Sequence, residues 1–352
     1  MLNIIKFELK YRLVRPATYI YFAIMLLLSF LFTATDMVQA SGGGGKVMDN
    51  SPVQITIIMM LMMWVGLLIC SAVMGVPVIR DFEHKSSALI FTTPIKKWEY
   101  LAGRFLGSFI ILLIIVSGIL PGMMIGLSNS WFWQDTPPDL LPFDLWHYLH
   151  PFLVFVLPAL FFFGSLFFAA GALGKKMTVV YAQAIIAFMG YLISIQLLGQ
   201  LDNRNIAALT DPMGIAAYSV LTEYWTVTEQ NTQVIPLEGL VLYNRLFWIS
   251  VGVLALILTF ARFSFSTVSA DRKKRKQTST TLHTDNIPAP KVHPQYSWKT
   301  NVLQVVNLSL FYFKWVVKQV PFMFIALAGI IFVFILGFTA STGGYDIGMY
   351  AT

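Results

Sequence analysis

The sequence has little charge and almost no cysteine. Of its 352 residues, 12% are charged and 57% are hydrophobic, whereas an ordinary soluble domain is about 25% charged. A water-soluble fold cannot bury so much apolar side chain. The single cysteine, Cys70, excludes both a disulfide framework and a thiolate metal cluster. Because each membrane span needs about 20 mostly apolar residues, this composition predicts an all-α, polytopic integral membrane protein.

Several catalytic motifs are also missing. The sequence contains no His-Glu-x-x-His zinc motif and no Gly-x-Ser-x-Gly nucleophile elbow. The segment nearest to a nucleotide-binding loop, Gly42 to Lys46, lacks the first glycine and the following Ser or Thr, so we interpret it as a flexible loop. His147 and His150 follow Asp144 at helical spacing, and an external metal site is the alternative to ordinary interfacial histidines there. We expect no catalytic residue, cofactor or metal in this chain.

Uncharged runs predict seven spans. The sixth is short and is bounded by Arg245 and Arg262, whose side chains can extend to the membrane interface. The first span lacks a small-residue cleavage site, which indicates an anchor and not a signal peptide. Glycines at positions 118, 122 and 126 suit either close helix packing or gating. The predicted spans are 17–35, 55–79, 105–127, 152–173, 177–199, 246–261 and 320–340.

The cations are distributed unequally about these spans. With a cytoplasmic amino terminus, alternating spans place all but three of the 24 Lys and Arg residues in the cytoplasm. The exceptions are Lys46, Arg204 and Arg245. The positive-inside rule predicts this orientation, and hence a multi-pass protein of the cell membrane. Within the spans there is almost no ionisable side chain, which argues against a proton-driven carrier.

The chain falls into four predicted parts. Residues 1–16 form an amphipathic interfacial helix, residues 17–265 a six-span unit, and residues 266–310 a basic cytoplasmic linker. The basic run from Arg272 to Lys276 favours anionic lipid over nucleic acid because it lies close to a span. Residues 311–352 resemble the amino-terminal part, by a true duplication or by chance similarity of apolar segments. The matched residues are Phe7, Arg12 and Pro16 in one copy, and Phe313, Lys318 and Pro321 in the other.

Three further segments bear on function. The helix of residues 1–16 has two apolar stripes on opposite sides, so we expect one side toward lipid and one toward protein; a simple continuation of the first span is the alternative. The coupling segment, residues 80–100, is far longer than a connection needs and contains a proline that would divide it into two short pieces. It is typical of a docking surface for a cytosolic partner. Residues 200–244 suit either surface helices or an ordinary loop.

Short motifs lie in these segments. In the coupling segment and just after it they are Asp81-Phe82-Glu83, Thr92-Thr93-Pro94-Ile95, Tyr100-Leu101 and Gly103-Arg104-Phe105. Elsewhere they are Phe7-Glu8-Leu9, Arg15-Pro16, Asp211-Pro212 and Asn244-Arg245-Leu246. Over residues 1–265 these motifs resemble the permease subunits of type-two ATP-binding-cassette (ABC) exporters. If the duplication is real, the chain is the first half of a duplicated permease.

The resemblance implies a transport subunit whose ATPase, with ATP and Mg, is a separate cytosolic chain. The implied partners are that ATPase, a second permease unit (a homodimer or the internal duplication) and membrane lipid, without nucleic acid. The membrane anchor of a larger enzyme, such as a zinc aminopeptidase fusion, and a non-catalytic scaffold are the alternatives. The implied ATPase-coupling residues are Arg80, Asp81, Phe82, Glu83, Thr92, Thr93, Pro94, Ile95, Tyr100 and Arg104. The interfacial helix contributes Phe7, Glu8, Arg12, Arg15 and Pro16, and the external loop Asp211, Pro212, Asn244 and Arg245.

Overall fold

Helices form the whole of the regular structure in the described part of the chain. A computed structural model of the protein describes residues 1–34, 47–84, 86–128, 139–198, 204–264 and 298–317, and these contain no strand. Five helices among these residues are long and apolar enough to cross a membrane. They are Pro16–Ala34, Pro52–Glu83, Lys97–Ser128, Leu145–Gly174 and Gly239–Arg262. The prediction of an all-α polytopic membrane protein is confirmed.

The helices are numbered in chain order. The first seven are α1 (Leu2–Leu13), α2 (Pro16–Ala34), α3 (Pro52–Met74), α4 (Val76–Glu83), α5 (Ser87–Phe91), α6 (Lys97–Val116) and α7 (Ile119–Ser128). They are followed by α8 (Leu145–Pro151), a π-helical turn (Phe152–Val156), α9 (Leu157–Gly174) and α10 (Met177–Leu198). The remainder are α11 (Arg204–Thr210), α12 (Ile215–Thr222), α13 (Val227–Thr232), α14 (Gly239–Arg262) and α15 (Trp298–Val317).

Most predicted spans coincide with these helices. The first four fall on α2, α3–α4, α6–α7 and α8–α9, and the fifth falls on α10, which has 22 residues. The sixth is longer than predicted, since α14 begins at Gly239 and contains Arg245 in its interior. The short helices α11 to α13 lie within residues 200–244, for which the sequence was compatible with either surface helices or an ordinary loop. The seventh predicted span, residues 320–340, lies outside the described residues.

The chain divides into two compact units, residues 1–264 and residues 265–352. The described part of the second unit is the single helix α15, which carries Phe313 of the predicted repeat. The other matched residues, Lys318 and Pro321, lie outside the described ranges. The duplication and the four predicted domain boundaries therefore stay predictions.

The two ends of the first unit gather different loops. Because α3 and α4 run from one end to the other, Asn50 and Phe82 mark opposite ends. Asn50 exchanges hydrogen bonds with the backbone of Leu141, at 2.7 and 2.6 Å. At the other end the Lys175 ammonium lies 4.7 Å from the Phe82 ring and 5.4 Å from the Phe263 ring. Loops that were predicted to share one side of the membrane therefore share one end of the bundle.

The amino-terminal helix α1 packs along the start of α6. An added Cβ on Gly103 would lie 2.8 Å from the Ile4 Cβ, and one on Gly107 would lie 2.8 Å from the Glu8 Cβ, so these glycines permit the close approach. Pro16 is the first residue of α2, a position that a proline favours because it needs no backbone N–H donor there. Ile4, from one of the predicted apolar stripes, thus faces α6, and Glu8 is the fully buried residue of α1. The predicted lipid-facing side stays a prediction.

Candidate functional site

Charged side chains from α1, α4 and α6 meet in a buried ion network, defined here as Glu8, Arg12, Arg80, Asp81 and Arg104. The Glu8 carboxylate is fully buried and accepts hydrogen bonds from Arg12 Nε at 2.7 Å, Arg80 Nη2 at 2.7 Å and Arg104 Nη1 at 2.6 Å. Arg104 Nη2 also donates to both carboxylate oxygens of Asp81, at 2.8 and 2.6 Å. Buried charges persist when they are paired and hydrogen-bonded, as these are. The network ties three helices together.

The ion network lies at the ends of the membrane-length helices, just outside the predicted spans. The second membrane-length helix continues to Glu83 and the third begins at Lys97, beyond the predicted limits at residues 79 and 105. Arg80, Asp81 and Arg104 consequently lie on these helices with their side chains buried. Sequence windows missed this because Glu8, which pairs with Arg80 and Arg104, is 72 and 96 positions away from them.

The arginines hold Glu8 in its ionised form. Burial alone would raise the pKa of Glu8, but the positive charges of Arg12, Arg80 and Arg104 outweigh burial and lower the pKa to about 2. The folded-state pKa is thus below the usual value near 4.5. Stability from this ionisation is therefore fully present above about pH 4.5 and is lost as the pH falls toward 2.

The lowered pKa of Glu8 predicts that the protein loses stability in acid through this residue. In detergent, the free energy of unfolding of the wild type should fall by at most about 3 kcal/mol between pH 4.5 and 2 through this group. Glu8→Gln has no such contribution to lose, so the difference in the free energy of unfolding between the two proteins should become smaller from pH 4.5 to 2. Thermal unfolding at several pH values measures this difference. Glu83→Gln, at an exposed position on the same end of the bundle, is the control. If the difference in the free energy of unfolding between the wild type and Glu8→Gln stays constant over this pH range, the lowered pKa of Glu8 is wrong.

The coupling segment lies beside the ion network. After α4 ends at Glu83, the chain forms the five-residue helix α5 and then a turn that contains Pro94. Pro94 thus lies where the segment divides, between α5 and α6, but the second piece is the start of the 20-residue helix α6 and is not short. Leu89 is 75% exposed, and Thr92, Thr93 and Pro94 are exposed as well. The segment thus presents both apolar and polar groups outward.

Aromatic rings connect α5 to the ion network. Phe91 of α5 packs edge to face against Phe82 at 5.8 Å and against Tyr100 at 5.5 Å between ring centroids. Tyr100 Oη donates a hydrogen bond to Asp81 Oδ2 at 2.7 Å, and its ring stacks on Phe263 at 6.1 Å. The coupling segment is therefore packed onto α4, α6 and the residue that follows α14.

The remaining predicted residues of the interfacial helix surround the network from outside. Phe7 is half exposed, and its ring centroid lies 5.3 Å from Arg104 Cζ. The guanidiniums of Arg15 and Arg80 lie 4.2 and 4.0 Å from the Tyr11 ring centroid. Tyr11 was missed as a site residue because it was assigned to an apolar stripe. Its spacing of four residues from Arg15 was the available signal.

The predicted external residues converge at the opposite end of the bundle. Asn244 Nδ2 donates hydrogen bonds to the carbonyl oxygens of Ala208 at 2.5 Å, Leu209 at 3.2 Å and Asp211 at 2.9 Å. Pro212 is buried beside them. This amide satisfies the last carbonyls of α11 and fixes the chain onto α14.

Asp211 and Arg245 complete this external cluster. The Asp211 carboxylate accepts hydrogen bonds from Tyr191 Oη at 2.7 Å and from the backbone N–H groups of Met213 and Ala216, at 2.9 and 2.7 Å. Arg245 is buried and donates to the side-chain oxygen of Asn244. Its other two nitrogens, Nε and Nη1, have no hydrogen-bond partner among the described residues. The cluster joins α10, α11, α12 and α14.

The histidines of α8 have other partners. His147 Nε2 lies 3.7 Å from Asp144 Oδ2, while Asp144 Oδ1 accepts a hydrogen bond from the Trp146 N–H and so caps the helix. His150 packs edge to face on the Trp146 ring at 5.3 Å. Within the described ranges, no three His, Cys, Asp or Glu side chains are grouped closely enough to hold a metal ion.

Comparison with known proteins gives one family. The family model described as ABC-2 family transporter protein matches residues 45–209, which include α3 to α10 and the whole coupling segment. No curated protein and no solved structure matches the chain significantly. The matched stretch contains three of the five membrane-length helices together with Arg80, Asp81 and Arg104. The match over these residues, together with the apolar helices, supports an ABC-2 type transporter permease.

Proposed function

We propose that this permease is the membrane subunit of an exporter driven by a separate cytosolic ATP-binding subunit, which would bind ATP and Mg²⁺. The observation that carries the proposal is the packing of the exposed helix α5 onto the ion network through Phe91 and Tyr100. A partner that moves α5 would act on α4 and α6 together, because closely packed groups transmit displacement. Exporter direction is supported by the sequence resemblance alone.

The end that carries α5 faces the cytoplasm in this proposal. It gathers Lys97, Lys175 and Arg262 beside the ion network, since Lys97 Nζ donates to the Ala261 carbonyl at 3.4 Å and Lys175 Nζ to the Ser264 carbonyl at 3.5 Å. The positive-inside rule favours the cytoplasm for such an end. The amino terminus would then also be cytoplasmic.

The ion network is the element that would convert movement of α5 into movement of spans. Arg104 on α6 bonds to Glu8 on α1 and to Asp81 on α4 at the same time. Since α1 leads into α2 across Pro16, a displacement at α5 reaches the first three spans. A second permease unit, either another copy of this chain or a duplicated half, would complete the pathway. The exposed apolar residues of α2, such as Ile20 and Leu27, are suited to lipid or to that unit.

Charge and polarity changes on the coupling segment test the proposal. Leu89→Asp and Glu83→Arg should leave membrane insertion and thermal stability unchanged, because both side chains are exposed. They should reduce the stimulation of the ATP-binding subunit several-fold, since each changes the charge or polarity of the proposed docking surface. Copurification from detergent and the ATPase rate of the complex are the measurements.

The matched control for Leu89→Asp is Leu140→Asp, which introduces the same group at an exposed leucine on the opposite end. It should copurify with the ATPase and stimulate it as the wild type does. Full stimulation by Leu89→Asp and Glu83→Arg would reject α5 as the docking element. Repeated purification of the chain alone would reject the ATPase partner.

A membrane anchor of a larger enzyme, such as a zinc aminopeptidase fusion, is the competing function. The pair His147 and Asp144 is the feature to test for it. Loss of a membrane-bound peptidase activity on His147→Ala, with folding retained, would favour the enzyme. Retention of ATPase stimulation by the same variant would favour the transporter.

A further inference from the structure

A pocket of about 160 Å³ opens where α1 joins α2. Its polar side carries the guanidiniums of Arg12, Arg15 and Arg80 together with the Thr18 side chain. Its other side is aliphatic and includes Val73 of α3 and Ile115 of α6. The pocket thus combines three cations with an apolar floor.

The positive charge around this pocket is only partly neutralised. Glu8 is the carboxylate that pairs with Arg12 and Arg80, while Asp81 is engaged by Arg104. Arg15 forms no ion pair among the described residues. Three lining arginines against the single carboxylate of Glu8 leave a formal charge of +2. An anionic ligand would complete the charge balance.

The guanidiniums are held in place before any ligand arrives. The guanidiniums of Arg15 and Arg80 both lie against the Tyr11 ring, with Cζ atoms 4.2 and 4.0 Å from its centroid. Arg12 Nη2 is fixed by a hydrogen bond to the Val73 carbonyl at 2.8 Å. Arginine matches phosphate well because its planar fork offers several donors in fixed geometry. Preorganised arginines also lose little conformational freedom on binding.

We propose that this pocket binds the phosphate group of an anionic membrane lipid. The aliphatic floor and the exposed Tyr19 and Ile20 on the first turn of α2 favour a lipid over a soluble anion, since an acyl chain can lie along them. Basic pockets between membrane helices on the cytoplasmic side are a known form of head-group recognition. The lipid would fix α1 and the adjoining ion network at the membrane surface. The proposal does not depend on transport or on an ATPase.

Binding of defined lipids to the purified full chain tests this site. The probes are phosphatidylglycerol and phosphatidylcholine in neutral detergent micelles, and native mass spectrometry gives the bound number and the apparent Kd. The wild type should bind one phosphatidylglycerol in preference to phosphatidylcholine. Arg15→Gln should weaken that binding about tenfold, the effect of losing one charge-assisted hydrogen bond. Ala17→Phe should also weaken it, because Ala17 lines the pocket and a ring there would fill it.

The control is Arg262→Gln, which removes an exposed cation at the same end of the bundle but outside the pocket. It should bind phosphatidylglycerol as the wild type does. Equal losses in Arg15→Gln and Arg262→Gln would indicate diffuse surface charge and would overturn the proposal. So would the absence of any preference for the anionic lipid. Inorganic phosphate that displaces the lipid at a similar concentration would show that the pocket takes a free anion, and the lipid assignment would be wrong.

Discussion

Replacing Arg104 by methionine is expected to destabilise the protein by about 3–5 kcal/mol, the usual cost of removing one partner from a buried ion pair. Arg104 bonds to Glu8 at 2.6 Å and to both oxygens of Asp81. Methionine keeps much of the volume but offers no donor. Among the described residues, Asp81 would then retain the Tyr100 hydroxyl as its side-chain donor and would have no bonded cation. The buried negative charge, and not a cavity, is the source of the loss.

A surface ion pair provides the matched control. Arg204 and Glu223 approach to 2.5 Å, but the Arg204 side chain is 66% exposed. Arg204→Met should therefore cost far less stability than Arg104→Met. Thermal unfolding in detergent compares the two variants. Adding Asp81→Asn to Arg104→Met should recover part of the lost stability, because it removes the stranded charge. Equal costs at Arg104 and Arg204 would contradict a special role for the buried network.

The sequence was sufficient for the position of most spans because apolar runs of the required length are a local signal. It failed at the helix ends, where a charge normally marks the limit of a span. Arg80 and Asp81 lie within a membrane-length helix because distant residues satisfy them, and Arg245 lies within another with the side chain of Asn244 as its acceptor. Asn244 bonds to the end of α11 some 35 residues earlier, which no window along the chain can reveal.

The sequence predicted the motifs of the candidate site separately, but it did not predict how they are arranged in space. Glu8, Asp81 and Arg104 each appeared in a different motif, but their meeting depends on α1 lying against α6. That close approach requires Gly103 and Gly107. The sequence shows that these residues are small, but it does not show that they lie against α1. The docking of a cytosolic partner on the coupling segment stays a prediction.

Glycines of the third predicted span explain how α2 packs against α6 and α7. From the sequence, these glycines were suited either to close helix packing or to gating. An added Cβ on Gly118 would lie 2.8 Å from the Phe22 carbonyl oxygen, and one on Gly126 would lie 2.7 Å from that of Phe30. Gly122, between them, would place a Cβ 3.1 Å from the Leu26 carbonyl carbon and closer still to its oxygen. Small residues every four positions permit such backbone approach between membrane helices.

Gly122→Ala is expected to lower the free energy of unfolding by about 3 kcal/mol, because the new methyl group forces the backbones of α2 and α7 apart. The matched control is Gly190→Ala on α10, where an added Cβ meets nothing within 4 Å. Alanine is favoured over glycine in a helix by about 1 kcal/mol, so this control should be neutral or stabilising. The two substitutions are chemically identical, but in a thermal unfolding assay Gly122→Ala should destabilise the protein and Gly190→Ala should not. A stabilising effect at Gly122 would mean that α2 is not held against α7 by backbone contact, and the first span would then be free to move separately from the third.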